Sequence, residues 1–288
     1  MGLYFITTNH LETKIWFRDN EDFKVGMNYV AVLAATMGVS IIAFILMSNH
    51  VHFLLRCSDT DAQLFIDSFK KLYSMHYRAK YGETGLLRRN TVDIQRISLK
   101  DEGVERVIAY IIMNSVAAKI CLTASGYRWG SGPCYFNENK EKGVRIGSFS
   151  IRKQRMILKT HTAVNQDWLL SADGYILPES YVKVEEVERL FKTPTRMQYF
   201  LNSSGKARRA MEKEGPAFDD QLLAAGVRSL CVSLFGKKNL SDLSKKELTE
   251  ILRQVRWRFG SEVHQISRVS GIPYEDVTEF LNAPDIQY

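Results

Sequence analysis

The sequence is poor in cysteine, and none of its cysteines is spaced for metal or redox chemistry. Cys57, Cys121, Cys134 and Cys231 stand far apart, which excludes a zinc knuckle and a CxxC dithiol and suggests reduced thiols in a cytoplasmic setting. Long hydrophobic runs are missing as well. The longest apolar stretch, residues 39–47, is too short to cross a bilayer as a helix, so no membrane partner is expected. The opening MGLYFITTNH has no charged segment followed by an apolar one, so no signal peptide is expected. Internal repeats and low-complexity tracts are absent. Charge is only mildly one-sided: 39 Lys+Arg stand against 32 Asp+Glu, a net charge of +7. That excess suits a polyanionic partner without demanding one.

What remains is a globular composition, 45% hydrophobic and 25% charged. Residues 3–8 (LYFITT) are rich in strand formers. Asp19 or Asn20 can cap a helix over residues 21–37, ended by Gly38. Residues 39–47 (VSIIAFILM) and 51–56 (VHFLLR) read as two buried strands joined by a tight turn. Asp59 or Thr60 opens a helix to Tyr81, stopped by Gly82. Residues 91–98 form a weaker strand, and Asp101 caps a helix predicted to reach Thr123. This order implies an α+β sandwich, with helices packed on a mainly antiparallel sheet. Residues 145–159 carry five basic residues and no acidic one, and the alternation of Ile146, Phe149 and Ile151 fits an edge strand or a basic hairpin. Residues 203–215 are polar and read as a linker. Helical periodicity then dominates, in pieces near 218–235, 244–259, 261–269 and 273–282.

Two segments carry chemistry. In Met47-Ser48-Asn49-His50-Val51-His52-Phe53, the strand period of two turns His50 and His52 to one face. Paired imidazoles can hold a divalent metal, although an HxH pair in a strand is often just two hydrogen-bonded side chains. In Arg106–Ala118, Tyr110 and Asn114 lie four residues apart, one above the other on a helix. A Tyr among Ile and Met is usually a core residue with its hydroxyl satisfied. Asn114 one turn away adds a neutral oxygen donor. Two imidazoles and an amide oxygen would leave open positions for phosphate oxygens and water around Mg²⁺ or Mn²⁺.

These segments resemble a known family. MSNHVHFLL is similar to the MPNHVHLLL box of the REP-associated tyrosine transposases, and AYIIMNSVAAKI to that family's RYIxxNPVRAGL helix. The interval of 60 residues between His50 and Tyr110 agrees, as do Tyr4–Thr8, Trp16-Phe17-Arg18-Asp19 and the box Tyr127-Arg128-Trp129-Gly130-Ser131. The likeness covers residues 1–136. The sequence departs from the pattern at Ser48 and Ser115, where the family commonly has Pro, and at Gly85-Leu86-Leu87-Arg88, which lacks the usual Trp. None of these changes removes a catalytic group, so an intact site is expected.

The resemblance implies a ferredoxin-like single-tyrosine HUH nuclease domain over 1–136. A basic extension and linker over 137–216 and a helical unit over 217–288 are expected to follow. It implies Tyr110 as nucleophile on single-stranded DNA that carries hairpin-forming repeats, with a 5′-phosphotyrosine intermediate. His50, His52 and Asn114 would hold Mg²⁺ or Mn²⁺. A nucleoid association while on DNA would follow, with a homodimer left open. A phenol is protonated at neutral pH, and His76 is a weak candidate for the base that relieves it. Candidate phosphate contacts are Lys70, Lys71, Arg78, Arg88, Arg89, Arg96, Arg152, Lys153 and Arg155, although charges on a helix are usually a solvated face. Two other readings stay open: a regulator that binds DNA without turnover, and a metal-dependent hydrolase that uses water.

Residues 262–281 have a helix-turn-helix look, with Gly271 at the turn and Pro273 opening the second helix. That helix offers Glu275, Asp276 and Glu279, which repel phosphate, while the basic residues lie earlier, on 245–258. A packing or dimerisation module is the competing reading.

Overall fold

The computed structural model describes residues 1–8, 14–88, 90–100, 102–204 and 219–282. Apolar runs rich in β-branched and aromatic residues form Gly2–Thr8 (β1), Ser40–Met47 (β2) and His50–Cys57 (β3), and the alternating segment Val92–Ile97 forms β4. Asn20–Met37 (α1) links β1 to β2, and Asp59–Tyr81 (α2) links β3 to β4. Every neighbour in the sheet order β2-β3-β1-β4 is antiparallel. This βαββαβ chain path is the ferredoxin-like arrangement. The expected class holds: an antiparallel sheet with helices packed on it, and a helical C-terminal region.

Local signals explain the helix ends. Asp19 caps α1 by accepting from the Asp22 amide, and Gly38 closes it at φ 64°. The cap of α2 is Ser58, not Asp59 or Thr60; the Ser58 side chain accepts from the Asp61 amide. Asp59 and Asp61 instead sit in the first turn, where their charge suits the helix dipole.

Parity along β3 separates the two faces of the sheet. Phe53 packs its ring against Phe65 and Phe69 of α2, at 5.2 and 5.5 Å between centroids. His52, one residue earlier, meets Tyr110 on the helix Gly103–Ile112 (α3). Thus α2 and α3 lie on opposite faces.

The helix expected to reach Thr123 ends at Ile112 and resumes for one turn, Asn114–Ala117 (α4). The Asn114 amide donates to the carbonyls of Tyr110 and Ile111, at 2.9 and 3.0 Å, competing with the backbone for those acceptors. Asp101, the expected cap, lies outside the described residues.

The Tyr127–Ser131 box runs along β2. The Tyr127 hydroxyl donates to Leu46 O at 2.8 Å, Leu46 N donates to Trp129 O at 2.8 Å, and Ser131 N donates to Phe44 O at 3.0 Å. Gly130 is needed there, because a Cβ would come within 2.7 Å of Phe44 O. Trp129 stacks on Phe23 at 5.0 Å.

The edge-strand reading of 145–159 gives way to a helix, Ile151–Leu158 (α5), preceded by a two-residue strand, Val144–Arg145 (β5), which pairs with Leu169–Leu170 (β6). Ser150 caps α5 through the Lys153 amide, and this local signal outweighs the apolar alternation. Val184–Phe191 (α6) and Pro194–Ser203 (α7) follow, and one apolar core joins β1 to Leu201.

A second core belongs to Asp220–Phe235 (α8), Lys245–Phe259 (α9), Val263–Ser270 (α10) and Tyr274–Asn282 (α11). Most of the expected linker lies outside the described residues. Among the described residues, no helix is long and apolar enough to cross a membrane.

Candidate active site

A two-residue turn, Ser48-Asn49, joins β2 to β3 and places His50 at the first position of β3, opposite Met47. His50 and His52 are both buried, and their rings meet edge-on at 4.9 Å between centroids. On the adjacent strand, Thr7 stands opposite His52, and Phe5 stacks on the His52 ring at 5.8 Å. Half-buried Tyr110 comes down from α3 and meets His52 edge-on at 5.7 Å and Phe5 edge-on at 5.8 Å. The structure therefore brings the two imidazoles and the phenol, 60 residues apart in sequence, onto one face of the sheet.

The imidazole of His50 is oriented by its neighbour. Its Nδ1 lies 2.9 Å from Asn49 Oδ1. With an oxygen accepting there, the proton sits on Nδ1 and the lone pair on Nε2. Asn114 is 3% exposed, and its Nδ2 is committed to two backbone carbonyls. That leaves Oδ1 as the atom of its amide able to meet a cation.

Among the described residues, no three His, Cys, Asp or Glu side chains cluster as a metal site. The nitrogen donors on this face are the two imidazoles, and Asn114, at the start of α4, follows Tyr110 by four residues. Paired imidazole nitrogens suit a divalent ion that takes its remaining ligands from oxygens.

The basic residues are distributed differently. Lys71 and Arg78 are exposed on α2, beyond the sheet from Tyr110. Lys70 donates its ammonium to Asn90 O, and burial pushes its pKa down. Arg96, opposite Tyr4, points to the α2 face by the same parity. Arg88 is exposed in the turn before β4, and Arg89 lies outside the described residues. Arg152, Lys153 and Arg155 are exposed on α5, which packs beside α1. Among the described residues, the rings that meet the imidazole pair are those of Phe5 and Tyr110. His76 is tied to Asp22 at 3.0 Å on α2, across the sheet from Tyr110, so it is not that residue's base.

Sequence reasoning missed four residues on or beside the reactive face. Phe5 braces both His52 and Tyr110; the period of two in β1 was the signal for it. Asp93 and Gln95 of β4 stand opposite Thr7 and Phe5, and so share that face. Arg106, exposed one turn before Tyr110 on α3, has its guanidinium at Glu102 and over the Phe200 ring.

A ferredoxin-like sheet thus carries two imidazoles on a central strand, facing a tyrosine on a covering helix. Residues 12–91 match the family model of the IS200-like transposases, and this match supports a transposase-type, DNA-processing assignment. The matched segment carries His50 and His52, while Tyr110 and Asn114 lie beyond it. No curated protein and no solved structure matches the chain.

Proposed function

We propose that the chain is a single-tyrosine HUH strand transferase of the REP-associated kind. It would cut and rejoin single-stranded DNA that carries hairpin-forming repeats. The observation that carries this reading is the meeting of Tyr110 with His52, on the face that His50 shares. In the reaction, Tyr110 Oη attacks a backbone phosphorus. The bond to the 3′ oxygen breaks, and a 5′-phosphotyrosine forms with a free 3′-OH as the other product. Attack by that hydroxyl, or by another, releases the tyrosine and reseals a strand, so no nucleotide cofactor is consumed. A bound Mg²⁺ or Mn²⁺ would polarise the scissile phosphate and stabilise charge on its oxygens. His50 Nε2, His52 and Asn114 Oδ1 are the groups that would hold it. Phe5 keeps the phenol and the His52 ring in register.

The helical unit serves the same substrate in this reading. The pair α10–α11 turns at Gly271, with φ 74°, and the Ser267 hydroxyl donates to Ile272 O at 2.6 Å. Since α11 is acidic, the hairpin stem would meet α9 instead. There Arg256 and Arg258 are exposed on either side of Trp257, itself 80% exposed.

The test is incubation of the full chain with hairpin-bearing single strands and Mn²⁺. Wild type should yield a protein–DNA adduct at Tyr110 and a 3′-OH product. Binding without any cut would favour a regulator, and cutting that survives in Tyr110→Phe would favour a water-using hydrolase.

A further inference from the structure

The turn that delivers His50 is gripped from the C-terminal helices. Ser48 O accepts from Trp16 N and Phe17 N, at 2.7 and 3.1 Å. Its hydroxyl donates to the carboxylate of Asp220, which lies 172 residues away at the start of α8. A proline at position 48 could not make this bond.

Asp220 is 3% exposed and fully engaged. Arg268 of α10 donates to it through Nε and Nη2, at 2.6 and 2.9 Å, and Gln265 donates through Nε2 at 3.1 Å. The adjacent Gln221 donates to Phe17 O. A buried carboxylate held by a two-pronged guanidinium has little freedom to move. Apolar contacts would hold two packed surfaces together as well as an ion pair does. What the charged group adds is a fixed position for whatever it binds, and that is Ser48, next to the Asn49 that orients His50.

We propose that Asp220, held by Arg268, is a positioning residue for the histidine-bearing turn. It fixes Ser48-Asn49 so that His50 presents Nε2 in one orientation, and it makes the geometry of the metal site depend on the seating of the C-terminal helices. This inference rests on the reading of His50 as a metal ligand.

The test is Mn²⁺ binding by titration calorimetry on the full chain, without DNA. Ser48→Ala and Asp220→Asn should each weaken binding about tenfold, at the lower end of what outlying partners of metal ligands contribute. Because both act through one bond, the double variant should lose no more than either single one. Ser48→Thr, which keeps the hydroxyl, should restore wild-type affinity. Ser48→Ala should melt within a few degrees of wild type, so a loss of Mn²⁺ affinity in that variant is not unfolding. Single-turnover cleavage should follow the same order.

Unchanged Mn²⁺ affinity in Ser48→Ala, alongside lost affinity in His50→Ala, would overturn the positioning role alone. Unchanged affinity in His50→Ala would remove the metal-ligand reading, and the positioning role with it. Additive losses in the double variant would also overturn the role, by showing two independent defects.

Discussion

The ring of Tyr110 meets the ring of His52 edge-on, and both rest on Phe5, so three aromatic rings from α3, β3 and β1 form one brace. Phe5→Ala should remove this brace without touching any reacting atom. We expect single-turnover cleavage to fall about tenfold, a loss of near 1.4 kcal/mol of transition-state stabilisation. Stability should fall by only about 2 kcal/mol, below the range for a fully buried ring, because Phe5 is only partly buried. Quench-flow cleavage and urea titration would measure the two effects; equal cleavage rates would deny Phe5 any part in alignment.

Removal of divalent metal should stop cleavage while leaving the fold intact. The imidazoles are packed among Phe5, Tyr110 and each other, and among the described residues no three His, Cys, Asp or Glu side chains cluster to repel one another once metal is gone. Chelation should leave the melting midpoint within a few degrees and abolish adduct formation, and Mn²⁺ should restore it. Full activity in excess chelator would show that the imidazole pair acts without metal.

Charge on the two faces should matter unequally. Lys71 and Arg78 stand beyond the sheet from Tyr110, while Arg106 stands one turn from it. Arg106→Ala should weaken binding of a single strand and reduce the log–log salt slope by about 0.7, the value for one phosphate contact. Lys71→Ala and Arg78→Ala should leave both within error. Fluorescence anisotropy across a salt series would check this, and the reverse order would place the strand on the α2 face.

Acid should unfasten α1 from α2. Burial opposes ionisation of Asp22, yet donors from His76, Lys80, Tyr81 and the Arg18 amide outweigh it and hold the carboxyl below the ordinary carboxylate range. A lowered folded-state pKa means that this stabilisation is present above the unfolded value and is lost as pH falls through the lowered one. Asp22→Asn should therefore cost about 3 kcal/mol at neutral pH and flatten the acid limb of the stability profile. Denaturant midpoints between pH 3 and pH 7 would reveal it. A parallel offset at every pH would mean that the carboxyl is not the linked group.

The fold was legible wherever a short-range period recorded it. His50 and His52 declare a shared face because strands repeat every two residues, and Asp19, Gly38 and Gly82 mark helix ends by local capping chemistry. The α5 region misled because Phe149 and Ile151 are spaced like neighbours on one face of a strand, while Ser150, the decisive cap, is the single residue between them. The link from Ser48 to Asp220 had no sequence signal at all, since its partners are 172 residues apart and meet only after two separate cores have formed. Phe5 was hidden for a related reason. The period of two in β1 assigns it to one face, but only the pairing of β1 with β3 puts His52 on that face too.

The Tyr127–Ser131 segment has a consequence for assembly. With Trp129 and Ser131 already bonded to the outer side of β2, and Lys183 N bonded to Ile41 O at 2.9 Å, the described residues already occupy rungs that another chain would need to zip onto that border. Two copies of this protein could not fuse their sheets there into one continuous ribbon. The other edge of this sheet is β4, where Asp93 and Arg96 are both exposed and make such fusion costly.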